Sequence, residues 1–299
     1  MSILNMASDG RFNVLIILVR ALIRFGPKPR EDLLESCGAK YEQIEGLSAN
    51  TSITRWSELG LFAQDGESVM IDEPYRGLLG NDPDLAEAKL PKILRGIVLA
   101  PHNNARFWLS EENKSADFSR ALAWLLAQDV YSLDTSSHRP INELESAQIL
   151  DEGKRMFQND TRWNGARVWG AYLGFARSGS KIVIDPTVAL AESLDDIFAS
   201  ETLTARDFVE RAAEVLPVLD GGAYRREIEE ALRHSSWKKP PANHLSTSLS
   251  RAIKRLAYES KIALEQRSDT EDGVTLLGTG QREWGRMTHV RRLQQSGEK

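Results

Sequence analysis

ITRWSELGLFAQDGESVMID, residues Ile53–Asp72, is the stretch on which the fold turns. Ile53, Trp56 and Leu59 share one face at helical spacing. Gly60 is a helix stop, Leu61–Ala63 opens a strand, Asp65-Gly66 is a turn, and Val69–Ile71 returns. A helix followed at once by such a hairpin is the back half of a winged helix-turn-helix. The stretch recurs as VWGAYLGFARSGSKIVID, Val168–Asp185. Leu59-Gly60-Leu61 corresponds to Leu173-Gly174-Phe175 at an offset of 114 residues, and Val69–Asp72 to Ile182–Asp185 at 113. KRLAYESKIALEQRSDTEDGVTLL, Lys254–Leu277, has the same order with a longer tip. An internal repeat sets the architecture before any other feature does.

The expected fold is therefore mainly α (α+β), with tandem winged helix-turn-helix modules carrying small hairpin wings. The spacing predicts module 1 over 1–76, module 2 over 77–186 and module 3 over 187–281, with a basic C-terminal tail over 282–299. In module 1, Asn13–Phe25 is the first helix, with Leu15, Leu18, Val19 and Leu22 on its apolar face. Gly26-Pro27 stops it, and a short helix follows at Arg30–Ser36. In module 2, Trp163, Ala166, Trp169 and Leu173 share a helix face. In module 3, Thr204 and Asp207 form a capping-box variant. Leu245–Glu259 carries Leu245, Leu249, Ala252, Ile253 and Leu256 as an apolar stripe.

Composition excludes several classes. With 41% hydrophobic and 27% charged residues the chain is globular rather than disordered. No apolar run reaches the ~20 residues that span a bilayer. Val14–Ala21 lacks the flanks of a signal peptide. The expectation is a cytoplasmic protein with no membrane partner. A single cysteine, Cys37, allows neither an internal disulfide nor a multi-cysteine zinc site. The net charge of −5 is uneven, because residues 238–299 carry 12 basic and 7 acidic side chains. A basic end on an acidic body suits a polyanion, or an acidic protein partner.

The strongest candidate surface is the polar side of helix 245–259. There His244, Thr247, Ser248, Arg251, Lys254 and Arg255 are expected to point outward. In a winged helix this face can enter the major groove, where arginine pairs with guanine and hydroxyls reach phosphates. The alternative is a solvated helix face. Arg162, Asn164 and Arg167 make a comparable set in module 2, where Trp163 and Trp169 either stack bases or belong to the core. Thr51, Ser52, Thr54 and Arg55 are the weaker equivalent in module 1. In the tail, Arg282, Arg286, Arg291 and Arg292 surround Trp284 and His289. Such interleaving can hold single strands, or the tail is a terminal helix that docks through Trp284, Met287 and Val290.

Catalytic signatures are missing. Gly278-Thr279-Gly280 is similar to a nucleotide loop without its third glycine, and there is no GxxxxGK[ST] loop. The histidines are scattered, and Glu111-Glu112, Asp195-Asp196 and Glu229-Glu230 are adjacent in sequence only, so they point apart on a helix. No cofactor or metal is expected.

The opening SILNMASDGRFNVLIILVRALIRFGP, followed by a winged helix, resembles the DpdG proteins. These are encoded in bacterial gene clusters that place 7-deazaguanine bases in DNA and restrict unmodified DNA. The resemblance implies a role in phage defence beside modification and restriction enzymes, and supplies no catalytic residues. Two functions are expected from these readings. One is a non-catalytic accessory protein that binds double-stranded DNA. The other is a winged-helix scaffold for the protein partners of a multi-subunit complex.

Overall fold

The structure, a computed structural model, describes residues 12–38, 43–109, 114–267 and 273–293, with backbone only at 43–47. The opening Ser2–Arg11, the Glu111-Glu112 pair and the tip of the third expected hairpin lie outside the described residues. The chain is mostly helical with small antiparallel sheets. In order the elements are α1 Phe12–Phe25, β1 Lys28–Pro29, α2 Arg30–Ser36, α3 Gln43–Leu59, β2 Phe62–Asp65, β3 Ser68–Ile71, α4 Glu73–Leu79 and α5 Pro83–Leu99. Then come α6 Ala116–Ala127, α7 His138–Gln148, α8 Asp160–Tyr172, β4 Ala176–Arg177, β5 Val183–Ile184, α9 Thr187–Glu192, α10 Leu194–Ile197 and β6 Thr202–Thr204. The last are α11 Ala205–Val215, α12 Ala223–Ala231, α13 Thr247–Tyr258, β7 Ile262–Glu265, β8 Val274–Leu277, β9 Glu283–Met287 and β10 His289–Arg292.

The chain divides into two compact units, Met1–Phe118 with Asp160–Leu173, and Ser119–Asn159 with Gly174–Lys299. In the first, α1 buries Leu15, Leu18, Val19 and Leu22, as the i, i+3, i+4, i+7 spacing requires. Gly26, at φ +76, ends it in the left-handed region that glycine enters without strain. On the other side of α1, Arg20 meets Asp84 at 2.7 Å and Glu87 at 2.6 Å on α5. The sheet order is β1-β3-β2. Phe62 pairs with Ile71 and Asp65 with Ser68, so the two-residue loop is Gly66-Glu67, one residue later than the sequence turn. Asn103 donates to Leu59 O and Ile97 O, both at 2.9 Å, and so satisfies carbonyls at the ends of α3 and α5.

Both hairpins of the repeat are present in one register. Phe62 pairs with Ile71 in the first, and Ala176 with Ile184 in the second, at the sequence offsets of 114 and 113. Asp72 N donates to Leu61 O at 2.9 Å, and Asp185 N to Phe175 O at 3.0 Å. The unit division runs between the helix and the hairpin of the second copy, since α8 falls in the first unit and β4-β5 in the second. Trp163 and Trp169 are buried in the first unit, which decides for core over base stacking.

In the second unit, Ser246 caps α13 by accepting from Leu249 N at 3.3 Å. Asp220 holds that cap, accepting from Ser246 N and Ser246 Oγ at 2.6 Å each. Thr204 caps α11 by accepting from Asp207 N at 3.1 Å, as its spacing predicts. The third expected hairpin is corrected. β7 does not pair with β8; it pairs with β10, while β8 pairs with β9. The tail reading is corrected with it. Glu283–Met287 and His289–Arg292 are strands, with β10 central in the order β6-β10-β7. Met287 and Val290 are buried as expected, though in strands, while Trp284, the third expected docking residue, stays 38% exposed. The physical reason is that β10 offers a complete ladder, His289 to Arg292 against Glu265 to Ile262, and brings Val290 to the core.

Candidate nucleic-acid interface

Helix α13 presents Leu249, Ala252, Ile253 and Leu256 inward. On the other side, Arg251, Lys254 and Arg255 stand at i, i+3 and i+4. Two of these converge on one carboxylate. Asp185 Oδ2 lies 3.6 Å from Arg251 Nε, 3.6 Å from Arg255 Nη1 and 2.9 Å from Arg177 Nε. The carboxylate is wholly buried, while the three guanidiniums are partly open to solvent. Oδ1 is fixed locally, accepting from Thr187 N at 3.1 Å and from the Thr187 hydroxyl.

Asp185 Oδ2 has no aligned hydrogen bond from any of these arginines. The contacts are charge contacts, so much of the donor capacity of the forks remains. Arg255 also meets Glu259 at 3.4 Å, and Lys261 meets Glu259 at 3.1 Å, so Arg177, Arg251, Arg255 and Lys261 stand against the two carboxylates with an excess of two positive charges. An incoming phosphate would relieve that like-charge crowding. Arg251 also lies over the Tyr131 ring, 5.3 Å from its centroid. The Trp284 ring meets Tyr131 edge to face, at 5.6 Å and 67°. Burial pushes the Tyr131 phenol above its ordinary range; Arg251 pulls the other way, and Asp185 and Asp129 add to the rise.

Other expected contacts stand elsewhere. The outward placement of Thr247 and Ser248 is corrected: they are 2% and 0% exposed. Ser248 Oγ donates to Leu126 O at 2.7 Å, and Thr247 Oγ1 accepts from Val130 N at 3.0 Å. They satisfy backbone groups at and just beyond the end of α6, so the first turn of α13 is buried on all sides. Ser52 and Arg55 in α3 are buried too, against the exposure expected of them. On α8, Arg162 lies 3.4 Å from the buried Asp117, and Arg167 donates to the exposed Asn164 at 3.4 Å. These belong to the first unit and the α13 cluster to the second. Lys254 is half-buried, and Arg282 and Arg286 are exposed. Arg291 pairs with Glu265 at 3.0 Å and Arg292 with Asp195 at 2.8 Å, which neutralises that part of the basic end.

Asp185, Arg177 and Tyr131 were not singled out from sequence. Asp185 has a signal there, as the closing residue of the repeat, and Tyr131 has none. A cleft of about 670 Å³ also opens in the second unit, with Gln128, Gln148, Trp237 and Lys239 among its lining residues. Among the described residues, no three His, Cys, Asp or Glu side chains gather as metal ligands, and no helix is long and apolar enough to cross a membrane.

The DpdG-like family is matched over residues 1–270, and the chain belongs to that family. The matched span includes α13 and β7 and stops before β8. No curated protein and no solved structure matches the chain.

Proposed function

We propose that this DpdG-like protein is a non-catalytic DNA-binding accessory component of a bacterial DNA-modification and restriction system that acts against phage. In this reading its helix–hairpin units are winged helices. The order helix, strand, helix, helix, hairpin, with sheet order β1-β3-β2, supports that reading for the first of them. The observation that carries the DNA reading is the arginine cluster. Arg177 from β4 and Arg251 and Arg255 from α13 surround one buried carboxylate, the cluster keeps two positive charges in excess when Glu259 and Lys261 are counted, and α13 also carries Lys254. Phosphate contacts of this kind supply affinity and register without reading sequence.

The test is duplex binding as a function of salt. Counterion release gives a log–log slope of about −0.9 per phosphate neutralised. Lys254→Gln and Arg251→Gln should each weaken binding, and the slope should flatten by about one unit for each phosphate no longer neutralised. Ser57→Ala, on the acidic first module, should leave both unchanged. Absence of duplex binding by the parent at low salt would overturn the reading.

A second reading has its own observation. Arg267 and Arg291 both pair with Glu265, and Arg292 with Asp195, so much of the C-terminal basic excess is spent within the chain. This supports a winged-helix scaffold that contacts partner proteins. Retained partner binding in a chain that ignores DNA would favour it.

A further inference from the structure

The β8-β9 ribbon carries an irregularity at one aromatic residue. Leu276 pairs with Gly285 and Leu277 with Glu283, so Trp284 is the extra residue of a bulge. Bulges re-aim a side chain, and here Gly285 takes φ +135 to make the turn. The indole of Trp284 lies over Gly278. A Cβ built there would stand 1.8 Å from Cε2, 1.9 Å from Nε1 and 2.4 Å from Cδ2. Gly278 itself sits at φ −117, ψ −156, a conformation other residues reach. Space for the ring, rather than the backbone angle, is what needs glycine at this position. With one face on Gly278 and an edge against Tyr131, the ring is held in place yet remains 38% exposed.

A fixed, half-open indole stands beside a tyrosine, and an arginine rests on that tyrosine. This is the composition of a stacking platform with a phosphate clamp. We infer that Trp284 stacks an unpaired base of single-stranded DNA, with the neighbouring phosphate held by Arg251 and Arg255. The inference rests on the DNA reading above and deepens it, because a flat ring offers nothing to a base still paired within a duplex. Charge complementarity favours this occupant: Glu283 next to the indole is engaged with His244 at 3.2 Å, Asp185 is covered by three arginines, and Glu259 beside Arg255 is paired with Lys261 at 3.1 Å.

The experiment compares a labelled single-stranded oligothymidine with a blunt duplex of equal length, by anisotropy on the full chain. Trp284→Ala should lose about 5- to 150-fold in single-strand affinity, the equivalent of ~1–3 kcal/mol, with duplex affinity unchanged. Trp284→Phe should retain most of it. Gly278→Ala, which displaces the ring and leaves it in the sequence, should behave like Trp284→Ala. Single-strand binding equal to the parent in Trp284→Ala overturns the inference and leaves the duplex reading standing. A parent that binds neither oligonucleotide overturns both.

Discussion

The indole rings of Trp56 and Trp169 lie with centroids 5.5 Å apart and planes inclined at 44°, each 1% exposed. They come from the terminal helices of the two copies of the repeated motif but not from matching positions, since at the offset of 114 Trp56 corresponds to Gly170. Leu61 N reaches back five residues to Trp56 O and Leu173 N four residues to Trp169 O, both at 2.8 Å, where each helix ends. Phe12 and Tyr172 complete the cluster, stacked at 4.3 Å. Truncating either tryptophan to alanine should cost about 3–5 kcal/mol. The double variant should cost less than the sum, with a coupling of about 0.5–1.5 kcal/mol from the ring contact. Urea unfolding of the four proteins measures this. Strict additivity would mean that the rings share burial without interacting.

The two hairpins are entered through glycines that meet different surroundings. Gly60 sits at φ +96 with open space where a Cβ would go. Gly174 sits at φ +83, and a Cβ there would stand 2.8 Å from Ala189 N, whose hydrogen bond to Gly174 O is 2.9 Å. Gly60→Ala should therefore cost about 1 kcal/mol, from backbone strain alone. Gly174→Ala should cost clearly more, because the backbone atom it meets cannot swing away. Equal shifts in denaturation midpoint would contradict the reading of a close approach at Gly174.

Asp185→Asn separates charge from shape. An asparagine can still accept from Thr187 N, but Arg177, Arg251 and Arg255 then lose the counter-charge they share, and only Arg255 keeps an acidic neighbour, Glu259 at 3.4 Å. Because the guanidiniums are partly solvated, the expected loss is about 1–2 kcal/mol, below that of a fully buried pair. The deficit should shrink as salt rises, since screening weakens repulsion between exposed charges. Duplex affinity should rise at the same time, as one negative charge leaves the site. A stability loss independent of salt would point to packing instead.

His244 gives the pH prediction. Its pKa is raised, first by its hydrogen bond to Ala242 O and then by Glu283 at 3.2 Å, against a lowering by burial. A raised folded-state pKa means that the stabilisation is fully present below the ordinary histidine range. It is lost as pH rises through the folded value. Melting temperature should thus fall slightly from about pH 6 toward pH 8, and His244→Gln should flatten that segment. An unchanged profile in the variant would assign the slope to another group.

Much of the fold is legible locally. The periodicity of Leu15, Leu18, Val19 and Leu22 marks a helix face, and the glycines at 60 and 174 mark where two helices end. The repeat offsets carry the pairing of one hairpin over to the other, Phe62 with Ile71 and Ala176 with Ile184, although the turn read at Asp65-Gly66 lies one residue before the observed loop. Partner choice between distant strands is not local. The run Ile262–Glu265 reads the same whether it pairs with β8 or with β10, and only the tertiary ladder assigns it to β10. Burial of polar residues is equally invisible along the chain. Ser248 looks like a solvent-facing hydroxyl on an amphipathic helix until the carbonyl of Leu126, 122 residues earlier, is placed 2.7 Å away.

The candidate site divides along the same line. The sequence by itself determined that Arg251, Lys254 and Arg255 share one side of a helix, because 3.6 residues per turn places i, i+3 and i+4 together. It also determined that Asp185 closes the second hairpin, because the motif repeats. Only the tertiary structure decided that this aspartate neutralises one charge among three arginines, and that Tyr131 and Trp284 stand beside them. Local geometry follows from backbone bonds spaced a few residues apart. The site is built by through-space forces between groups that the chain brings together from β4, the residue after β5, α13, β9 and the loop before α7.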